Sequence, residues 1–446
     1  MKKRIISVLL AAVTASVMLV GCGNDGTGKT DSSSIGNTAD TGEAGQNVDS
    51  ADNKAPNDHT ITMMCWYDES SMDSVIDEIN RQLDGEYVVE YTYIGVSDYN
   101  NVLSTQLASG EGPDIIADGA NFPARIKAGN VEDITDTGLT DGFSKDGLAL
   151  CSIDGKVYGV PCYGWFAGVF YNTELFEQAG ITQVPETFDE FLEVCEKLSD
   201  NGIAPLSLGL ADGDNGLHAF AGFMESNFYG ATQEGAGFDY DFAMGDASMD
   251  GTMNPYMENW IKMVENGYIT PDMVGISGEQ AKEVFMTGKA AIYFTGPWEY
   301  NNFKEAGLSF GVMPFPGVGK ESNYLIGGPA ASWGINVNSD QKEGAMKVME
   351  ALASVEVQQA FINENAGGST YREGVNTGLP EEYQNITDAM EAGRIACCWD
   401  RWSVNMPSQS LIDEINSQVQ GLVAGDLDVS SFLQTLDSKA DSIRYE

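Results

Sequence analysis

From Thr60 onward, short apolar runs alternate with stretches in which apolar residues recur every three or four positions. Residues 60–66 read as a first strand. Residues 71–83 place Met72, Val75, Ile76, Ile79 and Leu83 on one helical face. Residues 87–94, rich in Val and Tyr, read as a second strand, 99–109 as a helix, and 114–117 as a short buried strand. A β-α-β-α-β order of this kind predicts a largely parallel sheet covered by helices, the α/β class.

The pattern restarts after Pro161. Residues 169–171 predict a strand and 173–179 a helix. Residues 187–200 give the clearest helix: Thr187 and Glu190 form a capping box, Phe188, Phe191, Leu192, Cys195 and Leu198 form one stripe, and Gly202 can end it. Further strands are expected at 205–210, 290–295, 310–314 and 332–337. Helices are expected at 256–265, 278–287, 342–353 and 355–365, with the last hundred residues mostly helical or irregular.

The N-terminus changes the picture. Lys2, Lys3 and Arg4 precede sixteen mostly apolar residues, 5–20, too few and too close to the end for a comfortable membrane span. They read as a secretory signal peptide, residues 1–21. The run closes in Leu19-Val20-Gly21-Cys22, which resembles a bacterial lipobox, so Cys22 is the expected lipidation site. Residues 22–58 carry almost no large apolar side chain and are expected to form a disordered tether, with a typical reach of roughly 30–36 Å.

The formal charge is −44; loss of residues 1–21 removes three positive charges and no negative ones, leaving −47. That excess argues against nucleic acid and against direct contact with anionic lipid. Besides Cys22 there are six cysteines without a CxxC pair, and the chain has only two histidines, His59 and His218. A structural zinc site is not expected, nor any cofactor.

Four local patterns occur in an informative order. They are LSTQLASGEGPDIIADGA at 103–120; GKVYGVPCYGWFAGVFYNTELF at 155–176 with VPETFDEF at 184–191; FMTGKAAIYFTGPW at 285–298; and GGPAASWGIN at 327–336 followed by AFINENAGGSTYREGV at 360–375. Together they resemble the family 1 extracellular solute-binding proteins of carbohydrate ABC transporters, distant relatives of the maltose-binding protein. The resemblance covers essentially the whole folded region. It implies a two-lobe, periplasmic-binding-protein-like fold with interleaved lobes, 59–165 plus 326–366 and 166–325 plus 367–446, and a ligand cleft between them. It also implies hinge closure around a sugar-like ligand, delivery to a membrane permease, a monomer, and no enzymatic activity. With the lipobox, the expected location is the outer face of a bacterial membrane.

A sugar needs a flat aromatic surface under its apolar face and planar polar groups at its hydroxyl rim. Trp298, at the end of a strand in Gly-Pro-Trp, matches a family position that stacks on sugar. Trp165 and Tyr163 lie at the first crossover. Asp118 stands where the maltose-binding protein has an aromatic residue, which suggests a hydrogen bond to hydroxyls instead. Trp66, Tyr67, Asp68 and Glu69 follow the first strand, whose C-terminal end should face the cleft. Trp399, Asp400 and Arg401, after Cys397 and Cys398, fall near the family's late ligand segment. Gly328, with Gly327, would let backbone approach the ligand. Glu299, His218 and Trp333 are weaker candidates.

Three other classes stay open. A secreted carbohydrate-active enzyme could pair carboxylates such as Asp118 and Glu299. The same fold could bind a peptide, a polyamine or another small solute. An adhesin or structural lipoprotein would need neither the crossover pattern nor Gly-Pro-Trp. Few Arg and Lys near the expected cleft favour neutral saccharides over uronates, although Arg401 and Arg372 leave acidic sugars possible.

Overall fold

A computed structural model describes residues 59–212 and 214–445. The expected signal peptide, the tether and Cys22 lie outside them. The strands of the two main sheets are, in chain order, β1 (Thr60–Cys65), β2 (Val88–Tyr93), β3 (Ile115–Asp118), β4 (Val160–Pro161), β5 (Gly164–Asn172), β6 (Ala204–Ser207), β7 (Ala290–Thr295), β8 (Phe310–Met313), β9 (Leu325–Pro329), β10 (Ser332–Ile335) and β11 (Ile395–Ala396). The first sheet has the order β2-β1-β3-β10-β4, with β1 parallel to both β2 and β3. The second runs β11-β9-β5-β7-β6, and β8 pairs antiparallel with β5.

The two sheets are joined by one ribbon. Ser332 pairs with Pro161 in the first sheet, and Pro329, Gly328, Gly327 and Ile326 pair with Gly164, Trp165, Phe166 and Ala167 in the second. The register does not slip between them. Cys162 N–H donates to the Ala331 carbonyl at 3.0 Å, and Ala330 N–H donates to the Tyr163 carbonyl at 2.9 Å. A third segment joins on the free side, where Gly164 and Ser369 exchange both backbone bonds, 2.7 and 2.9 Å. The residues just beyond Ser369, Tyr371 and Arg372, stay with the first layer: Ser144 N–H donates to the Tyr371 carbonyl, and Arg372 Nε donates to the Ala353 carbonyl.

Helices cover both sheets as the periodicity predicts. Glu69–Leu83 buries Met72, Val75, Ile79 and Leu83 against the first sheet. Phe188–Asp200 carries the expected capping box, with Thr187 Oγ1 accepting from the Glu190 N–H at 3.2 Å. The second core is larger and more aromatic: Phe223 meets Phe188, Phe191, Phe294 and Phe315.

Two differences from the sequence pattern have physical causes. β5 spans nine residues, not the three expected at 169–171, because it is buried on both faces and so shows no alternation. The stretch between residues 210 and 256 contains helix Asp214–Met224, a π-helical turn at Glu225–Tyr229 and helix Phe238–Met244. Here Gly216, Gly222, Gly230 and Gly237 interrupt the apolar pattern.

Candidate functional site

The ribbon delivers Trp165 to the junction of the two halves, where its half-buried ring packs against both cores. Three other rings gather there. Trp399, from helix Cys398–Trp402, lies parallel to Trp165, with centroids 6.2 Å apart and planes inclined by 5°. Trp298 follows β7 through Gly296-Pro297 and sits 6.3 Å from Trp165. His218, on helix Asp214–Met224, is 5.9 Å from Trp165 and 5.6 Å from Trp298. All three tryptophans remain partly open to solvent. Aromatic rings that pack against a core yet stay partly exposed can receive the apolar side of a ligand.

Asp400 adds the polar element. Gly328, opposite Trp165 in the ribbon, lies so close to the Asp400 carboxylate that a β-carbon at residue 328 would collide with it. No hydrogen bond forms to this carboxylate from the protein among the described residues. Burial, and then the like charge of Glu225, push its pKa up to about 7.

Arg401 is committed elsewhere. Its Nη2 donates to both Glu225 carboxylate oxygens at 2.9 and 3.0 Å, and its Nε bonds to Asp239. Glu225 and Asp239 are 2 % and 3 % exposed. The guanidinium therefore fastens the short helix bearing Trp399 and Asp400 onto the Glu225–Tyr229 turn. Its expected ligand contact gives way to a positioning role, because two buried carboxylates need a partner.

The first sheet's rim differs. Trp66 follows β1 half-buried, its ring edge-on to Tyr99 at 5.1 Å. Tyr67 is tied into the ribbon: its hydroxyl accepts from Ala331 N–H at 3.1 Å and lies 3.7 Å from Cys162 Sγ. Tyr163 is buried between Tyr67 and Phe361, so its ring serves the crossover and not an open face. Asp68, expected to touch ligand, instead caps helix Glu69–Leu83, accepting from Ser71 N–H at 2.8 Å, and Glu69 is exposed in that helix's first turn. Asp118 is 2 % exposed; Oδ1 accepts from Gly119 N–H at 2.9 Å and Oδ2 from Arg125 Nε at 2.8 Å. Both oxygens of the Asp118 carboxylate thus already have an internal partner.

Of the residues singled out in the sequence, the structure thus brings together Trp165, Trp298, Trp399, Asp400 and Gly328, with His218 beside them. Trp333 is fully buried against Phe361. Glu299 is buried and held by Lys282 and Asn302 at 3.1 and 2.8 Å. Sequence reasoning missed Glu225, Asp239 and Tyr371. The first two sit in the glycine-interrupted helical stretch. Tyr371 lay within the TYREGV motif, and its hydroxyl fits against Gly164 only because that position lacks a β-carbon. Among the described residues, no group of three or more His, Cys, Asp or Glu is placed to hold a metal ion.

The sequence profile of the bacterial extracellular solute-binding proteins matches residues 68–359, well over half of the chain. The chain belongs to this family. A maltooligosaccharide ABC transporter solute-binding lipoprotein of Streptococcus pneumoniae is 23 % identical to this solute-binding protein over 97 % of each chain. Its fold is also that of a family 1 extracellular solute-binding protein from Bifidobacterium longum subsp. infantis, with a TM-score of 0.67 at 26 % identity over 86 % of this chain and 99 % of that one. A sugar transporter structure from Bacillus licheniformis in complex with stachyose gives a TM-score of 0.68 at 20 % identity, over 85 % and 98 %. The architecture is therefore the two-lobed, interleaved α/β fold with a cleft at the crossover. These relatives are binding proteins and not enzymes.

Proposed function

We propose that this solute-binding protein captures a sugar or oligosaccharide at the junction of its two halves and delivers it to the permease of an ABC transporter. One observation carries the reading: three partly exposed tryptophans, Trp165, Trp298 and Trp399, converge where the unbroken ribbon joins the sheets. A ribbon that keeps its hydrogen bonds from one sheet to the other is a hinge that can bend without unpairing, so ligand selects the closed form. Cys22, lipidated after removal of residues 1–21, would hold the protein at the outer face of the membrane, and residues 22–58 would give the binding unit its reach. The protein acts as a monomer and performs no chemistry on its ligand. Asp118 and Glu299, the carboxylates considered for a hydrolase pair, are each held in an ion pair.

Thermal unfolding of the purified protein against maltotriose, stachyose and related saccharides tests this. A ligand present at a hundred times its dissociation constant adds about 2.7 kcal/mol to the stability. A saccharide-specific rise that Trp298→Ala cuts to roughly half is the expected result; hydrolysis of any of these sugars would overturn the non-enzymatic reading.

A second reading has its own observation. An uncompensated carboxyl beside aromatic rings also suits an organic cation, through cation–π attraction and charge. Stabilisation by choline or spermidine, with none by saccharides, would select it.

A further inference from the structure

We propose that Asp400 is the specificity-determining group of the site and that it makes capture proton-linked: its carboxylate accepts hydroxyls of a neutral sugar, binding expels a proton, and uronic-acid sugars are rejected. This rests on the sugar reading above and deepens it.

The geometry sets the argument. Asp400 lies beside the Trp165–Trp399 stack, on the same short helix as Trp399, and against the bare backbone of Gly328. A protein that needed this carboxyl only for stability would have given it a donor, as Asp118 has Arg125 and Glu299 has Lys282. Asp400 has none, so its acceptor capacity is left for a ligand. The groups facing it give no help. Glu225, on the π-helical turn, is itself a carboxyl whose pKa burial raises, and its attraction to Arg401 is shared with Asp239. Tyr371, from the segment after the third crossover, has its hydroxyl pKa raised by burial and then by Asp400 itself. The thiols of Cys397 and Cys398, just before it in sequence, are buried and feel the same negative charge. One guanidinium thus pairs with two of the three carboxyls gathered here, and Asp400 is the one left over. A fourth negative charge, that of a uronate, would enter this field with no cation to meet it: Arg401 is paired, and Arg372 donates to the Ala353 carbonyl with its guanidinium over the Phe143 ring.

The sign of the pH effect follows. With the carboxyl poised at about 7, close to half of the molecules are protonated at neutral pH. Hydroxyls that donate to the carboxylate favour the ionised form, so binding lowers the pKa and releases a proton. Affinity for a neutral sugar then rises with pH, by about tenfold between pH 6 and pH 8, and about half a proton leaves per ligand bound at pH 7.

The test is titration calorimetry on the full-length protein at pH 6, 7 and 8, in two buffers of different ionisation enthalpy. The probes are maltotriose, stachyose and tri-galacturonate. The expected result is a neutral sugar that binds about tenfold more tightly at pH 8 than at pH 6 with proton release, and no binding of tri-galacturonate. In Asp400→Asn the pH dependence and the proton release vanish together. A neutral sugar bound with the same affinity at all three pH values overturns this inference and leaves the sugar reading intact. So does a pH dependence that persists in Asp400→Asn, which would place the titration on another group. Because the wild-type pH profile and proton count are read without any variant, the inference stays falsifiable even if Asp400→Asn does not fold. Preference for tri-galacturonate overturns the rejection of uronates. Absence of binding by all three sugars, with binding of choline or spermidine, overturns the sugar reading and this inference with it.

Discussion

The rims of the two sheets use the same side-chain types for opposite ends. On the first, Asp68 caps a helix, Asp118 is locked to Arg125, and Tyr67 and Tyr163 are packed into the ribbon. On the second, Trp165, Trp298 and Trp399 stay partly exposed and Asp400 has no hydrogen-bond donor to its carboxylate among the described residues. The first rim spends its polar groups on internal bonds, and the second is the one we propose meets the ligand. Acidic and aromatic residues after a strand are not in themselves a binding site. What distinguishes a site is polar capacity that the protein has left unspent.

The sharpest way to break this contrast is to remove the charge that steadies the second rim. Arg401→Met leaves Glu225 and Asp239 buried without a partner. Loss of one member of a buried ion cluster costs about 3–5 kcal/mol, and the partial exposure of Arg401 puts the expected loss near the lower figure, about 3 kcal/mol in urea unfolding. Adding Glu225→Gln and Asp239→Asn should restore most of it. A loss below 1 kcal/mol would mean that the cluster is hydrated and does not position Trp399 and Asp400. Next in size is the ligand face itself. Trp298→Ala is expected to weaken binding of the preferred saccharide by about tenfold, the equivalent of about 1.4 kcal/mol, whereas Asp118→Asn should shift it by less than about twofold. Calorimetry on both variants reads this directly, and equal losses would erase the distinction between the rims.

Much of this was legible beforehand, for identifiable reasons. The helix at 187–200 announced itself through a capping box and a clean apolar stripe, and both are present in the structure. Trp298 was marked by Gly-Pro-Trp at a strand end, a purely local signal. Trp399 and Asp400 stood out only as a dense aromatic and charged cluster. Their meeting with Trp165 depends on a ribbon in which Trp165 pairs with Gly328, a partner so distant in sequence that no local pattern reports it. The internal bonds of Asp68 and Asp118 went unread for the converse reason. A carboxylate after a strand looks the same in sequence whether it faces a ligand, a helix N-terminus three residues on, or an arginine seven residues on. Only the direction of the side chain decides, and Ser71 and Arg125 gave no warning.

The smallest expected effect is also the cleanest control on that last point. Asp68 Oδ1 accepts from Ser71 N–H at 2.8 Å and from the Ser70 hydroxyl at 2.6 Å, so its carboxylate supplies one of the bonds that the first turn of helix Glu69–Leu83 lacks. These bonds hold its pKa below the usual carboxylate range despite the opposing effect of partial burial. A depressed carboxylate contributes stability above its unfolded pKa of about 4 and loses it as the group is protonated below that. Asp68→Ala should therefore cost about 1 kcal/mol at pH 7 and less at pH 3, with saccharide affinity at pH 7 unchanged. Asp68→Asn or Asp68→Ser, which cap nearly as well, should recover most of the loss. Were Asp68→Ala instead to weaken binding while leaving stability intact, the first rim would be a ligand surface after all, and its use of acidic side chains would need the same reading as Asp400.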